Sequence, residues 1–238
     1  MNKDIEFKSN GLILKGTLYI PESKKGLSAA IYYHGRGSSY KRYPGFGKSL
    51  EKEGIAFLGF DFAGCGESEG DFGKTTLASK IEDAKVAIDF LLNQKGVDQE
   101  RIGVFGVSQG GHIAAMIAST YKQVRSLVLG SPAAYPKYIL NKIESESSSF
   151  SYERKFWQDS PALEAIEIFK GPLMIIEHEL DEVIPRDLIK EYYNKAGSKE
   201  KSIYILKASY HRPGEIGSPF REEISRVVVD WFVKTLLN

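Results

Sequence analysis

The sequence predicts an α/β fold, an eight-stranded and mostly parallel sheet with helices on both faces and a short lid inserted over one end. Three observations predict it. Short apolar runs alternate with amphipathic helical stretches along most of the chain. One buried run stops at the glycine-rich loop His34-Gly35-Arg36-Gly37, and another passes directly into a helix through Gly106-Val107-Ser108-Gln109-Gly110.

The chain opens differently. Residues 4–8 and 12–20 read as strands joined by Asn10-Gly11, two residues that tolerate positive φ and so mark a tight antiparallel hairpin. Residues 29–33 are continuously apolar, as in a strand covered on both faces. A strand at 55–60, a helix at 75–94 and a strand at 101–106 follow. The helix carries Leu77, Ile81, Ala84, Ile88, Leu91 and Leu92 on one face, and Lys80, Asp83 and Lys85 are expected to point elsewhere. A helix at 109–121 and strands at 124–129 and 173–176 come next, the last introduced by the breaker Gly171-Pro172. A helix at 185–196, a strand at 202–206 and a helix at 222–237 close the pattern.

Residues 133–159 break the alternation. They mix Tyr135, Tyr138, Phe150, Tyr152, Phe156 and Trp157 with the run Glu144-Ser145-Glu146-Ser147-Ser148-Ser149, and are read as a lid; the alternative is an unstructured loop without function. Apart from this insertion, residues 1–238 are read as one domain, since this length buries one large core without a second.

Composition narrows the function. With 42% hydrophobic and 26% charged residues the chain is expected to be globular, neither disordered nor a membrane bundle. Thirty-two basic against thirty-one acidic residues, with no basic block, exclude the electrostatic footprint of a nucleic-acid binder. No apolar leader opens the chain and no run approaches a membrane span, so a cytoplasmic protein that binds no membrane is expected. The single cysteine, Cys65, excludes an internal disulfide and fits a reducing compartment.

The strongest chemical signal is the G-x-S-x-G around Ser108, set between a buried strand and a helix. A serine on so sharp a turn needs small neighbours, and the helix start directs free N–H groups at whatever the serine attacks. A serine hydroxyl is a weak nucleophile at neutral pH and needs a base, normally histidine. Among His34, His112, His178 and His211, only His211 lies in a loop after the last strand, where a base that comes last in Ser-Asp-His order belongs. The orienting acid is expected at the end of the strand between them. Asp181, in a D-x-x-[VI]-P context, is preferred over Glu177, Glu179 and Glu182. No H-x-x-x-H or comparable spacing supports a metal among His178, Glu179, Asp181 and Glu182, and no cofactor is expected.

Taken together, His34 to Gly37, Asp61-Phe62-Ala63-Gly64-Cys65-Gly66-Glu67-Ser68, Gly106 to Gly110, Asp181 to Pro185 and His211 make the sequence resemble the α/β-hydrolases, and within them small bacterial cinnamoyl and feruloyl esterases. The resemblance spans nearly the whole chain. It implies the α/β-hydrolase fold and a carboxylesterase acting on a small ester through an acyl-enzyme, with the backbone N–H groups of Arg36 and Gln109 as the oxyanion hole. His34 would brace its loop and His112 would pack on its helix, while Cys65, Asp61 and Ser68 would serve the turn rather than the chemistry. An acyl-peptidase, a lyase or perhydrolase on the same residues, and a noncatalytic binding module are the competing readings. Two positions depart from the family pattern: Arg36 stands where an apolar or aromatic residue is common, and His178 where glycine is frequent. Turned into the pocket, the Arg36 side chain would favour an acidic or polar acyl group; turned to solvent, it would not. The expected partner is a small-molecule ester, and a homodimer is left open.

Overall fold

The computed structural model describes residues 2–22, 26–146, 153–214 and 216–237. Its eight strands form a single sheet: β1 (Asn2–Ser9), β2 (Leu12–Tyr19), β3 (Leu27–Tyr33), β4 (Ala56–Phe60), β5 (Val97–Val107), β6 (Val124–Gly130), β7 (Leu173–His178) and β8 (Lys201–Leu206), in the order β1-β2-β4-β3-β5-β6-β7-β8. The first hairpin is antiparallel, and β2 also runs antiparallel to β4; every other neighbour is parallel. Ser9 faces Leu12 across a two-residue turn in which Asn10 and Gly11 both have positive φ (48° and 85°), the geometry that the Asn-Gly pair predicts. This is the α/β-hydrolase architecture.

Strand periodicity divides the core in two. In β3, Ala29, Ile31 and Tyr33 face one side while Ala30 and Tyr32 face the other. The first side is covered by α2 (Leu77–Leu92), α3 (Gln109–Thr120), α5 (Pro161–Ile168) and α6 (Arg186–Lys195). The second is covered by α1 (Phe46–Lys52) and α7 (Pro219–Leu236). With helices on both faces, a parallel sheet leaves only the ends of its strands for a site.

Two expectations need correction. Helices α1 and α5 were not anticipated: each is short, and α1 contains Gly47, so neither shows two clear turns of period. Ser160 at the α5 N-cap, accepting from the Ala162 N–H and followed by Pro161, is the signal that marks that helix. The second correction concerns α2. Thr76 and Ser79 close a reciprocal capping box, and the predicted apolar face is buried. Lys80 and Asp83 do not reach solvent, however; both are buried. Asp83 accepts from the Ser9 hydroxyl at 2.6 Å and the Ala63 N–H at 3.1 Å, and Lys80 finds an acid described below. Partners remote in sequence make their burial tolerable.

In the inserted stretch, 3₁₀ turns form at Lys137–Ile139 and Glu144–Glu146, Ile143 bridges to Thr76, and α4 (Arg154–Trp157) follows. Tyr135 and Trp157 are buried and Tyr138 is exposed. Ser147, Ser148, Ser149, Phe150 and Tyr152, part of the expected lid, lie outside the described residues.

Candidate active site

Ser108 occupies the turn between β5 and α3 with φ 54° and ψ −117°, a conformation that costs a residue with a side chain energy and persists only where its surroundings hold it. Here the Ser108 N–H donates to the Gly130 carbonyl at 2.9 Å, and its own carbonyl accepts from Gly111, Ala133 and His112. The flanking glycines are required by close approach. A Cβ on Gly106 would lie 2.2 Å from the Gly110 carbonyl oxygen, and one on Gly110 would lie 2.0 Å from the Tyr33 carbonyl oxygen.

Two loops at the carboxyl ends of β7 and β8 bring the other residues to this turn. His211 Nε2 lies 3.1 Å from Ser108 Oγ, and His211 Nδ1 lies 2.9 Å from Asp181 Oδ2. The other Asp181 oxygen accepts from the N–H groups of Val183 and Ile184 at 2.9 and 2.8 Å. Burial pushes the Asp181 carboxyl up, but the His211 hydrogen bond and charge, with these two N–H groups, outweigh it and hold the acid below its ordinary range.

The competing acids are engaged elsewhere. Glu177 pairs with Arg186 at 2.8 Å, Glu179 accepts from Lys207 and the Ala208 N–H, and Glu182 accepts from the His211 backbone N–H at 3.1 Å.

The remaining histidines are buried and neutral. Burial lowers His34 and His178 to about 4 and His112 to about 3. His34 Nδ1 lies 2.8 Å from the Gly35 carbonyl and Nε2 accepts from the Phe62 N–H, which fixes the loop leading to Arg36. His112 Nδ1 accepts from the Tyr135 N–H. Asp61 accepts from the Tyr40 and Glu67 N–H groups, while its carbonyl receives the Ser68 hydroxyl, so both staple a turn. Burial raises the Cys65 thiol, the opposite of what a nucleophile needs.

Arg36 stands in the loop after β3 and Gln109 opens α3, and both line the cavity with Ser108. Their backbone N–H groups have no acceptor among the described residues. Their side chains converge on Glu144, which the sequence placed only in a low-complexity run. Glu144 Oε1 accepts from Lys80 Nζ at 2.6 Å and Gln109 Nε2 at 2.8 Å, while Oε2 accepts from Arg36 Nε at 2.6 Å. Lys80 also reaches Gln109 Oε1 at 3.2 Å. The Arg36 side chain, 35% exposed, thus lines the site with its charge already met by Glu144 and its guanidinium 5.2 Å from the Phe72 ring centre. No local sequence pattern pairs residues 80 and 144; a lysine next to the apolar face of a helix was the available clue.

A cavity of about 700 Å³ opens over Ser108, Gln109 and His211, bounded by Gly35, Tyr135, Ile139 and Val183. Among the described residues no group of three His, Cys, Asp or Glu side chains is placed to hold a metal, and no helix is long and apolar enough to cross a membrane.

Residues 27–155, more than half of the chain, match the sequence profile described as serine aminopeptidase, S33. The chain belongs to this hydrolase family. Among curated relatives, the thiohydrolase aneE of Aspergillus aculeatus is 36% identical over 128 residues, which is 52% of this chain and 40% of that protein. Among solved structures, Est1E of Butyrivibrio proteoclasticus with ferulic acid bound superimposes with a TM-score of 0.79 at 18% identity, covering 98% of this chain and all of that one. An esterase of Pyrococcus furiosus gives 0.73 at 24% identity, over 99% and 92% of the two chains. At these identities the solved structures share the fold of the S33 hydrolase.

Proposed function

We propose that this hydrolase cleaves small carboxylic esters, with Ser108 as nucleophile, His211 as general base and Asp181 as the group that orients it. The observation that carries the reading is the continuous hydrogen-bonded path from Ser108 Oγ through His211 to Asp181, at 3.1 and 2.9 Å. As Ser108 Oγ attacks the ester carbonyl carbon, His211 Nε2 takes its proton, and the lowered Asp181 carboxylate stabilises the imidazolium. The negative oxygen of the tetrahedral intermediate would accept from the backbone N–H groups of Arg36 and Gln109. Collapse expels the alcohol, which receives the proton from His211. Water, deprotonated by the same imidazole, then attacks the acyl carbon and releases Ser108. Tyr135 and Ile139, from the inserted stretch, would cover the acyl-enzyme.

An aminopeptidase, which the family's description names, must hold a protonated amine and so needs an unengaged carboxylate. Among the described acids only Glu144 lines the cavity, and it is held by Lys80, Arg36 and Gln109. This favours esters over peptides with free amino termini.

Ser108→Ala is expected to abolish hydrolysis of p-nitrophenyl butyrate while the circular dichroism and melting temperature stay near those of the parent, and a fluorophosphonate is expected to label Ser108 alone. Turnover retained by the alanine variant would end the reading.

A further inference from the structure

The cavity over Ser108 is also lined by Tyr32, Tyr43, Arg42, Arg212 and Arg221, and the Arg42 and Arg221 charges act on both phenols. Tyr32 and Tyr43 are 2% and 6% exposed, their rings meet edge-on at 5.5 Å, and neither hydroxyl has a hydrogen-bond partner among the described residues. Both residues line the cavity, and a phenol O–H can donate to an acceptor bound there. Burial raises both phenols, Tyr43 to about 12, while the Arg42 and Arg221 charges act the other way, so both carry their protons at neutral pH.

Among the described residues the charge here is mostly positive. Arg221 lies 5.7 Å from the Tyr43 ring centre and donates to the Gly214 carbonyl at 3.0 Å, an arrangement that fixes its guanidinium plane. Arg42 and Arg212 form no ion pair with any described carboxylate. Lys142 adds another cation to the lining, and the only acid among the described lining residues, Glu144, is already paired. In a chain whose formal net charge is +1, this is a local concentration of positive charge rather than a global bias.

We infer that the part of the cavity lined by Tyr32, Tyr43, Arg42 and Arg221 is a subsite for a carboxylate carried by the substrate, so that the preferred ester is a half-ester of a dicarboxylic acid or a comparably anionic ester. The inference rests on the ester-hydrolase reading for the reaction, but the subsite itself is separable from it. Guanidinium groups and phenol donors together match the two oxygens of a carboxylate, and a partly buried setting strengthens those hydrogen bonds.

The test separates binding from turnover. In the Ser108→Ala background, calorimetry with monomethyl glutarate and with neutral methyl butyrate is expected to show tighter binding of the half-ester, weakened about tenfold or more by Arg42→Gln and less strongly by Tyr43→Phe. In the active protein, the ratio of kcat/KM for mono-p-nitrophenyl glutarate to that for p-nitrophenyl butyrate is expected to fall by a similar factor in Arg42→Gln, and to fall with added salt. Arg42-dependent binding without turnover of either ester would support the subsite while refuting the hydrolase reading. Half-ester binding no tighter than that of the neutral ester, or unaffected by Arg42→Gln, would overturn the inference. Inorganic phosphate binding more tightly than the half-ester would overturn the choice of carboxylate.

Discussion

Lys80 and Glu144 meet at 2.6 Å in the interior, with side chains 1% and 3% exposed, although they stand sixty-four residues apart in sequence. The pair joins α2 to the inserted stretch, and through Gln109 it reaches the residue next to Ser108. Burial pushes the Glu144 carboxyl up, but the Lys80 charge and hydrogen bond, with those of Gln109 and Arg36, bring it below its ordinary range.

Removing one partner is therefore expected to cost more than removing both. Glu144→Gln leaves the Lys80 ammonium buried without an anion, and should lower stability by about 3–5 kcal/mol. Adding Lys80→Met removes the bare charge and should recover part of that loss. Urea unfolding of the two single variants and the double variant measures the coupling; strictly additive losses would mean that the pair does not act as one unit.

Asp181 and Glu182 divide the work of placing His211: one holds the ring, the other the backbone N–H. Asp181→Asn is expected to reduce kcat on p-nitrophenyl butyrate by about 10⁴, because the amide no longer selects the tautomer with a free Nε2. Glu182→Gln keeps an acceptor for the N–H and should cost less than about tenfold. Equal losses at both positions would reassign the orienting acid.

Gly110→Ala would place a methyl carbon 2.0 Å from the Tyr33 carbonyl oxygen, and backbone at the end of β3 or the start of α3 must move to make room. A destabilisation of about 3 kcal/mol or more is expected, read as a drop in melting temperature. By contrast, Gly11→Asn falls where a Cβ meets nothing within 4 Å and asparagine tolerates positive φ, so the change there should stay within about 1 kcal/mol.

Acid should destabilise the protein in two stages. His34, His112 and His178 are neutral in the folded state down to about 4, 3 and 4, whereas in the unfolded chain they take up protons near 6.5. The unfolded state thus binds more protons between these values, and stability falls as the pH drops through that window. Asp181 and Glu144, held below the usual carboxylate range, contribute stability that is complete at higher pH and is lost as the pH falls through their lowered values. Urea midpoints across the window measure the slope. His112→Asn, which preserves an acceptor for the Tyr135 N–H, should flatten it by up to about 1.4 kcal/mol per pH unit.

Much of the architecture was legible because parallel strands buried on both faces leave continuous apolar runs, and because the Asn10-Gly11 hairpin and the G-x-S-x-G turn demand particular residues at particular backbone angles. His211 and Asp181 were legible for a related reason: each stands just past a strand end, where loops at the rim of the sheet converge. Lys80 and Glu144 obey no such local rule. A lysine on a helix reads as solvated, and an acid amid serines reads as loop; only the folded chain reveals that each is the other's partner. Tyr32 was visible as part of a buried strand, but nothing in Ala29 to Tyr33 shows that it lines a cavity as well as the core.

The sheet places the proposed nucleophile and base on strands of unequal security. Ser108 is rooted in β5, which has strands on both sides and α3 against it, while His211 hangs from β8, an edge strand bonded to β7 alone and partly wetted along Lys201 to Ile205. Gentle heating should therefore fray the margin first and carry the imidazole away while the serine keeps its place. Inactivation would then precede melting, and the half-life of the enzyme would be set by one peripheral ribbon instead of by the core.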